Sequence, residues 1–425
     1  FNFIKDLTKM KAEIITIGDE IIHGEILDSN SAYIGDKLSS LGIEVAFKTS
    51  VGDDLKRIIE AIKLAVERVD LVIATGGLGP TNDDLTKKGI VKAFKRNLVF
   101  HEDILKKVEE GFRKRGIEMP KINQNQALLP QGAKALPNQY GSAPGIFIQE
   151  GKRFFFALPG VPLEMKTILE NEILPFLKTR SSRKTVLQKV LRTTGMIESA
   201  IYEKLDPVLK IKSSVKIGFL PSFSGVDIKL RVTSESEDLA LKDISEIEQK
   251  IREILNENIY GIDKESLEEI LGRLLSDKKK TISVAESCTG GLIGAKLTNI
   301  SGSSDYFMDG VISYSNQSKM DFLKIPKEIL DKYGAVSEEV AILMAEGVRK
   351  ISNTEYGVSA TGIAGPTGGT VEKPVGLVYI GFAHENDSFA RKFIFGGDRQ
   401  AIRVRTAQAA LNLVRLFMEY GVHRP

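Results

Sequence analysis

From Ala12 onward, strand-length apolar runs alternate with amphipathic segments of helix length: AEIITIG, then Ser29 to Leu41, VAFKTSVG, Leu55 to Arg68, and DLVIATGG. That alternation predicts an α/β fold with a parallel sheet covered by helices on both faces, and ligands in such sheets sit beyond the carboxyl ends of the strands. At 425 residues the chain is too long for one core, so two to three domains are expected. Residues 1–9, FNFIKDLTK, lack a signal-peptide pattern and read as an extension outside the fold. The first domain then spans 10–178, and the basic, hydroxyl-rich stretch TRSSRKT at 179–185 reads as a linker. Residues 186–260 read as strand, helix, strand, strand, helix, a small ferredoxin-like or KH-like module. Because that module lacks a GxxG clamp for RNA backbone, a structural spacer or dimer contact is the favoured role. A further α/β unit covers 262–425 and closes on a long helix from Asp398 to Met418.

Charge excludes two partner classes. With 59 basic and 56 acidic side chains the chain carries +3, too little field to steer onto nucleic acid or a membrane surface. No apolar run approaches the roughly 20 residues of a membrane span. A single cysteine rules out an internal disulfide framework and a thiolate zinc site, and fits a reducing cytosol.

In the first domain, TGGLGPTNDDLT (Thr75 to Thr86) follows an apolar strand and opens a helix. Glycines there let backbone N–H groups approach an anion at the positive end of the helix dipole. Thr75, Gly76, Gly77 and Asn82 are the cradle candidates, while Asp83 and Asp84 could hold a divalent cation bridging to phosphate oxygens. Helix capping by Asn82 or Asp83 is the plainer alternative. The pattern is neither a P-loop nor GxGxxG, so NTP hydrolysis and NAD binding are unsupported. A second polar turn, GDEIIHGEILDSN, offers Asp19, Glu20 and Asn30 at the same sheet edge; His23 reads as a surface or packing residue. ALPGVPLEM (Ala157 to Met165) would form a wall of that pocket, although ordinary turn chemistry explains it nearly as well.

The last domain has His384 in a surface turn and His423 beside the terminus, so a Ser-His-Asp triad is excluded. A serine there needs another base, and a lysine serves if burial lowers its pKa to about 7–8. Tyr314 and Lys319 lie five apart at a strand-to-helix junction, SYSNQSK, and can share a pocket. Ser304 lies in SGSSDYF, a turn able to expose a hydroxyl. The segment ESCTGG, with Ser287, Thr289 and Gly290, closes a strand and starts a helix, so its amides could serve as an oxyanion or phosphate site. SATGIAGPTGG repeats that design around Thr361 and Gly362, and Arg399 in GGDRQ is placed to meet a phosphate. Simple helix capping and surface solvation are the alternatives for these residues. Cys288 is the competing nucleophile, although a lone cysteine in such a position is more often a small buried hydrophobe.

GDE at 18–20, TGGLGPTNDD, NQNQALLP from Asn123 and ALPGVPLEM together resemble the MoaB/MogA-like molybdopterin-binding fold as it occurs in the CinA family. AESCTGG, GSSDYF, SYSNQSK, GAVSEEVA, TGIAGPTGG, KPVG and GGDR resemble that family's carboxy-terminal domain, so the likeness runs from Met10 nearly to the end. The resemblance implies a three-layer amino-terminal domain with metal-dependent ADP-ribose pyrophosphatase activity rather than molybdopterin chemistry. It also implies a carboxy-terminal nicotinamide mononucleotide (NMN) deamidase that needs no metal, and a homodimer. By the resemblance Ser304 is the nucleophile, Tyr314 and Lys319 the proton-transfer pair, and Ser287, Thr361 and Arg399 substrate contacts. The rival reading is a ligand-sensing or assembly protein without turnover, linked to DNA uptake.

Overall fold

The computed structural model describes residues 10–81, 83–180 and 185–421. The expected extension at 1–9, most of the linker, Asn82 and His423 lie outside the described residues. The chain divides into one compact unit of residues 1–187 with 233–241 and a second of 188–232 with 242–425.

In the first unit the strands are β1 (Lys11–Ile17), β2 (Glu44–Val51), β3 (Leu71–Thr75), β4 (Leu98–Phe100), β5 (Leu128–Pro130), β6 (Lys134–Leu136), β7 (Gly145–Glu150) and β8 (Arg153–Leu158). Six form one sheet in the order β2-β1-β3-β8-β7-β6. The first four strands are parallel and β7 and β6 add antiparallel. Every residue of β3 is buried, as a strand covered on both faces requires. Successive β1 residues show the two faces: Ile14 packs with Ile34 and Leu38 of helix Ser29–Ser40, and Ile15 with Ile58 and Ile62 of helix Leu55–Arg68. The three-layer α/β architecture expected from the alternating pattern is therefore present. Its consequence for function is that β1, β3 and β8 release their chains into Gly18, Gly76 and Pro159 at one sheet edge.

The second unit contains a four-stranded sheet, β10-β11-β9-β12, made of β9 (Thr185–Thr193), β10 (Lys216–Pro221), β11 (Val226–Ser234) and β12 (Ile259–Ile262). β11 buries alternate residues, so one face is packed. β12 is a fourth strand beyond the expected order, and it crosses the expected boundary at 260–262 to pair antiparallel with β9.

A five-stranded sheet follows, β14-β13-β15-β16-β17, from β13 (Ile282–Glu286), β14 (Phe307–Ile312), β15 (Tyr356–Gly362), β16 (Leu377–Ala383) and β17 (Ser388–Ile394). β14, β13 and β15 are parallel, and β16 and β17 are antiparallel additions. Val284 faces a core shared with helices Leu267–Asp277 and Arg399–Tyr420, and Ala285 faces the other side under helix Glu338–Ser352. The closing helix starts where the sequence suggests, with the Asp398 carboxylate accepting from the Ala401 N–H at 2.8 Å. Among the described residues no helix is long and apolar enough to cross a membrane.

Candidate active site

Parallel pairing brings the carboxyl ends of β13, β14 and β15 to one edge of the sheet, and the groups expected to do chemistry sort by which edge they occupy. Ser287 follows β13 directly, its N–H held by the Ala360 carbonyl at 2.9 Å. Lys319 lies in the first turn of helix Asn316–Leu323, whose start is capped by Ser315 accepting from the Ser318 N–H at 3.0 Å. That cap turns Lys319 inward, where it is only 1% exposed. Its Nζ reaches Ser287 Oγ at 3.1 Å and the Ser313 carbonyl at 2.7 Å. Burial disfavours the ammonium and lowers the Lys319 pKa to about 8. A lysine so placed, sharing one hydrogen bond with a serine hydroxyl, is a base beside a nucleophile.

Ser304, the expected nucleophile, stands in the turn that leads into β14. Ile282 pairs with Phe307 and Glu286 with Ile312, so the turn containing Ser304 lies before the amino ends of both strands. Ser287 follows the carboxyl end of β13, at the opposite end of the paired strands. Cys288 is buried, and desolvation pushes its thiol up to about 12, so it is a core residue and not a thiolate.

Tyr314 is 62% exposed and pairs with Arg399, not with Lys319: the Arg399 guanidinium donates to Tyr314 Oη at 3.0 Å and to the Gly365 carbonyl at 2.8 Å. Thr361 Oγ1 donates to the Ala335 carbonyl at 2.7 Å, fixing the turn after β15. Gly362 packs against β16, where a methyl group would come within 2.7 Å of the Leu377 carbonyl oxygen. Thr289 is fully buried with its hydroxyl unpartnered, and its carbonyl takes two donations from Arg403, at 2.7 and 3.2 Å. Gly290 is exposed at φ +57°, and Arg403 also approaches it. Arg403 went unnoticed in the sequence. Its spacing of four from Arg399 puts both on one helix face and was the available signal.

The amides expected to bind an anion are already in use. Glu286 is 1% exposed, and its carboxylate accepts from the N–H groups of Gly291, Ile293 and Gly294 at 3.0, 3.1 and 2.8 Å. The strand's own last residue thus fills the start of helix Leu292–Thr298. The Gly290 N–H is likewise taken, by the Ser287 carbonyl at 3.2 Å.

The amino-terminal site shows the same substitution. Gly79 and Thr81 N–H groups donate to Asp84 at 2.7 and 2.9 Å, and the Thr81 hydroxyl joins them. The Gly76 N–H is taken by Leu158, and Gly77, at φ +61°, packs on Thr86. Asp83 is exposed, its carboxyl held below the usual range chiefly by the Thr81 hydroxyl. Both Asp84 oxygens serve the loop, whereas Asp83 is exposed beside it. Among the described residues no group of three His, Cys, Asp or Glu side chains could hold a metal ion.

The three turns do meet. Asn30 Nδ2 donates to Thr75 Oγ1 at 3.1 Å and to the Gly160 carbonyl at 2.8 Å, and Thr75 Oγ1 donates to Pro159 at 2.9 Å. Asn30 Oδ1 remains buried without a partner, in a small pocket that Thr16, Glu20, Asp28 and Pro162 also line. The Asp19 N–H donates to the Asp53 carboxylate at 3.1 Å and the Asp53 N–H to the Asp19 carboxylate at 3.0 Å. Burial, and then the nearby carboxylates of Asp19, Glu20 and Asp83, raises the Asp53 pKa. Lys87 is a second buried lysine, held by the Asn125 carbonyl and Gln126 Oε1 at 2.8 and 3.0 Å, with burial lowering it to about 8. Sequence reasoning missed both Asp53 and Lys87, since an aspartate before a helix and a lysine in its first turn look like ordinary surface residues.

Three family models match consecutive stretches of the chain. The "Probable molybdopterin binding domain" matches residues 13–179, the "Damage-inducible protein CinA KH domain" 188–261 and the "CinA C-terminal domain" 264–418. The CinA-like protein of Kosmotoga olearia is 44% identical over 406 residues, covering 96% of this chain and 98% of its own. The CinA-like protein of Dictyoglomus thermophilum is 43% identical with the same coverage.

Proposed function

The chain belongs to the CinA family, and on that premise we propose that its carboxy-terminal domain is a Ser/Lys amidohydrolase that deamidates NMN. The observation that carries this reading is the buried Lys319 Nζ at 3.1 Å from Ser287 Oγ. In its neutral form Lys319 accepts the hydroxyl proton as Ser287 Oγ attacks the carboxamide carbon. The tetrahedral intermediate collapses, Lys319 returns the proton to the departing nitrogen, and ammonia leaves. Water then gives a proton to Lys319 and attacks the acyl ester; as the ester C–O bond breaks, Lys319 passes that proton to Ser287 Oγ, releasing nicotinate mononucleotide and restoring the hydroxyl and the neutral amine. Arg399, steadied by Tyr314 and Gly365, is the phosphate contact. Ser287 takes the nucleophile's role from Ser304, and Tyr314 moves from proton transfer to binding.

For the amino-terminal domain the proposal is narrower: a pocket for a nucleotide diphosphate such as ADP-ribose, supported by Asn30 Oδ1 standing unpartnered where three turns join. Cleavage is not assigned, because Asp84 is committed to its own loop.

An ammonia-release assay with NMN tests the first proposal. Ser287→Ala should lower turnover on the order of a thousandfold or more, and Ser304→Ala and Cys288→Ala should stay within about twofold of the parent. Loss in Ser304→Ala with Ser287→Ala active would reverse the assignment. For the second, calorimetric titration with ADP-ribose should show binding that Asn30→Ala weakens; binding unaffected by Asn30→Ala would remove that pocket.

A further inference from the structure

The hairpin joining β10 to β11 carries an aromatic ring, Phe223, that is 54% exposed. The turn beneath it is braced. Ser222 N–H donates to the Gly225 carbonyl at 2.8 Å, Ser224 N–H to Ser222 Oγ at 3.2 Å, and Thr194 Oγ1 to the Ser224 carbonyl at 3.1 Å. Gly225 lies so close to β9 that a methyl group there would come within 1.9 Å of the Thr193 carbonyl oxygen. The braced turn fixes where the ring stands, so its neighbours are defined.

Phe223 touches Arg405, whose guanidinium carbon lies 5.7 Å from the ring centroid, within the range of a cation–π contact. The same guanidinium donates through Nη1 to the Gly396 carbonyl at 2.5 Å. Gly396 and Gly397 lead from β17 into helix Arg399–Tyr420, and Gly397 sits at φ +107°. Neither glycine has a side chain with which to anchor this stretch. The flanking ties are the Phe395 N–H to Gly376 at 2.9 Å and the Ala401 N–H to Asp398 at 2.8 Å. Arg405 supplies the tie between them at Gly396, and three residues later the chain presents Arg399 to Tyr314 and Gly365.

We infer that the middle module is a positioning element of the carboxy-terminal site: Phe223 orients Arg405, Arg405 fixes Gly396, and Gly396 sets where Arg399 stands. Phe223 and Arg405 touch no ligand and act through Arg399. For its effect on catalysis the inference rests on Arg399 as the phosphate contact; for its effect on the loop it does not. It gives the module a task that the missing GxxG clamp does not supply.

The test uses the full chain with Phe223→Ala, Phe223→Trp and Arg405→Ala, and Tyr202→Ala as control, Tyr202 being an exposed aromatic of the same module packed on Phe219. Hydrogen exchange at the amides from Phe395 to Ala401 should quicken about threefold in Phe223→Ala and about tenfold in Arg405→Ala. It should be unchanged in Phe223→Trp, which keeps the aromatic face, and in Tyr202→Ala. The KM for NMN should rise by similar factors with kcat within about twofold of the parent. Unchanged exchange in both Phe223→Ala and Arg405→Ala overturns the inference whether or not NMN is a substrate. Faster exchange with kcat lowered and KM unchanged also overturns it. A parent protein with no NMN turnover refutes the substrate reading alone, and the exchange data still decide whether the module positions the loop.

Discussion

Lys319 sits where an ammonium group is disfavoured, and the chemistry proposed for it depends on that. With a pKa of about 8, only about one molecule in ten carries the neutral base at pH 7. kcat/KM for NMN should therefore rise close to tenfold per pH unit below 8 and level off above it. A pH–rate profile showing a flat response from pH 6 to 9 would remove Lys319 as the base. Lys319→Met should abolish ammonia release. The same residue has a stability sign that can be worked out. Its folded pKa lies below the unfolded value of 10.5, so the unfolded chain binds the proton more readily, and below pH 8 the folded state carries the full penalty, about 3 kcal/mol as an upper bound. Lys319→Met should thus raise the thermal midpoint at pH 7 while removing activity, and a lowered midpoint would contradict the buried-ammonium account. SYSNQSK made the lysine's placement legible, because a serine cap after a strand fixes which side chain of the first turn points inward. Its partner was not legible: Ser287 and Ser304 are both hydroxyls in glycine turns, and only strand direction separates them.

At the scale of the single element, a strand running into a glycine turn was read three times as an anion cradle, and in two of the three the anion is internal. Glu286 and Asp84 occupy amides that the sequence offers to phosphate. The physical reason is ordinary: orphan N–H groups at a helix start need an acceptor, and a carboxylate within the same turn supplies one without ordering a ligand. Glycine spacing reveals where such amides gather and is silent about which oxygen they meet. Glu286 is buried and accepts three charge-assisted bonds, so Glu286→Ala should cost about 3 kcal/mol. Glu286→Gln, which presents N–H to N–H, should recover only part of that. Chemical denaturation of the full chain, followed by tryptophans introduced singly into each domain, would show the loss confined to the carboxy-terminal transition. A change below about 1 kcal/mol for Glu286→Ala would mean that the amides find other acceptors, and would return that turn to the list of ligand sites.

Across a whole domain, the parallel part of each sheet could be read from the β/α alternation, and the antiparallel additions β6, β7, β16 and β17 could not. An apolar run looks the same whether its neighbour runs with it or against it. The packing that fixes the carboxy-terminal site depends on those additions. Helix Glu338–Ser352 lies on β15 and β16 over two glycines, and methyl groups at Gly357 and Gly381 would come within 2.1 Å of the Ala345 and 2.2 Å of the Ala341 carbonyl oxygens. Ser359, the cross-strand partner of Gly381, donates through Oγ to the same Ala341 carbonyl at 2.5 Å. At these two glycines the helix backbone thus comes close to the sheet backbone. Just upstream, Ala335 accepts from Thr361 and holds the turn beside Arg399's anchor, Gly365. Gly381→Ala should lift the helix, costing about 1–3 kcal/mol as overpacking does, and should shift the Thr361 turn with it. The expected kinetic signature is a raised KM for NMN with the pH profile still breaking near 8, since Ser287 follows β13 and Lys319 stands on helix Asn316–Leu323 after β14, neither on β15 nor on β16. A Gly381→Ala variant with parent stability would show that the helix can move freely. One that keeps KM but loses the pH break would show that the close approach serves the Ser287–Lys319 pair instead of the binding turn.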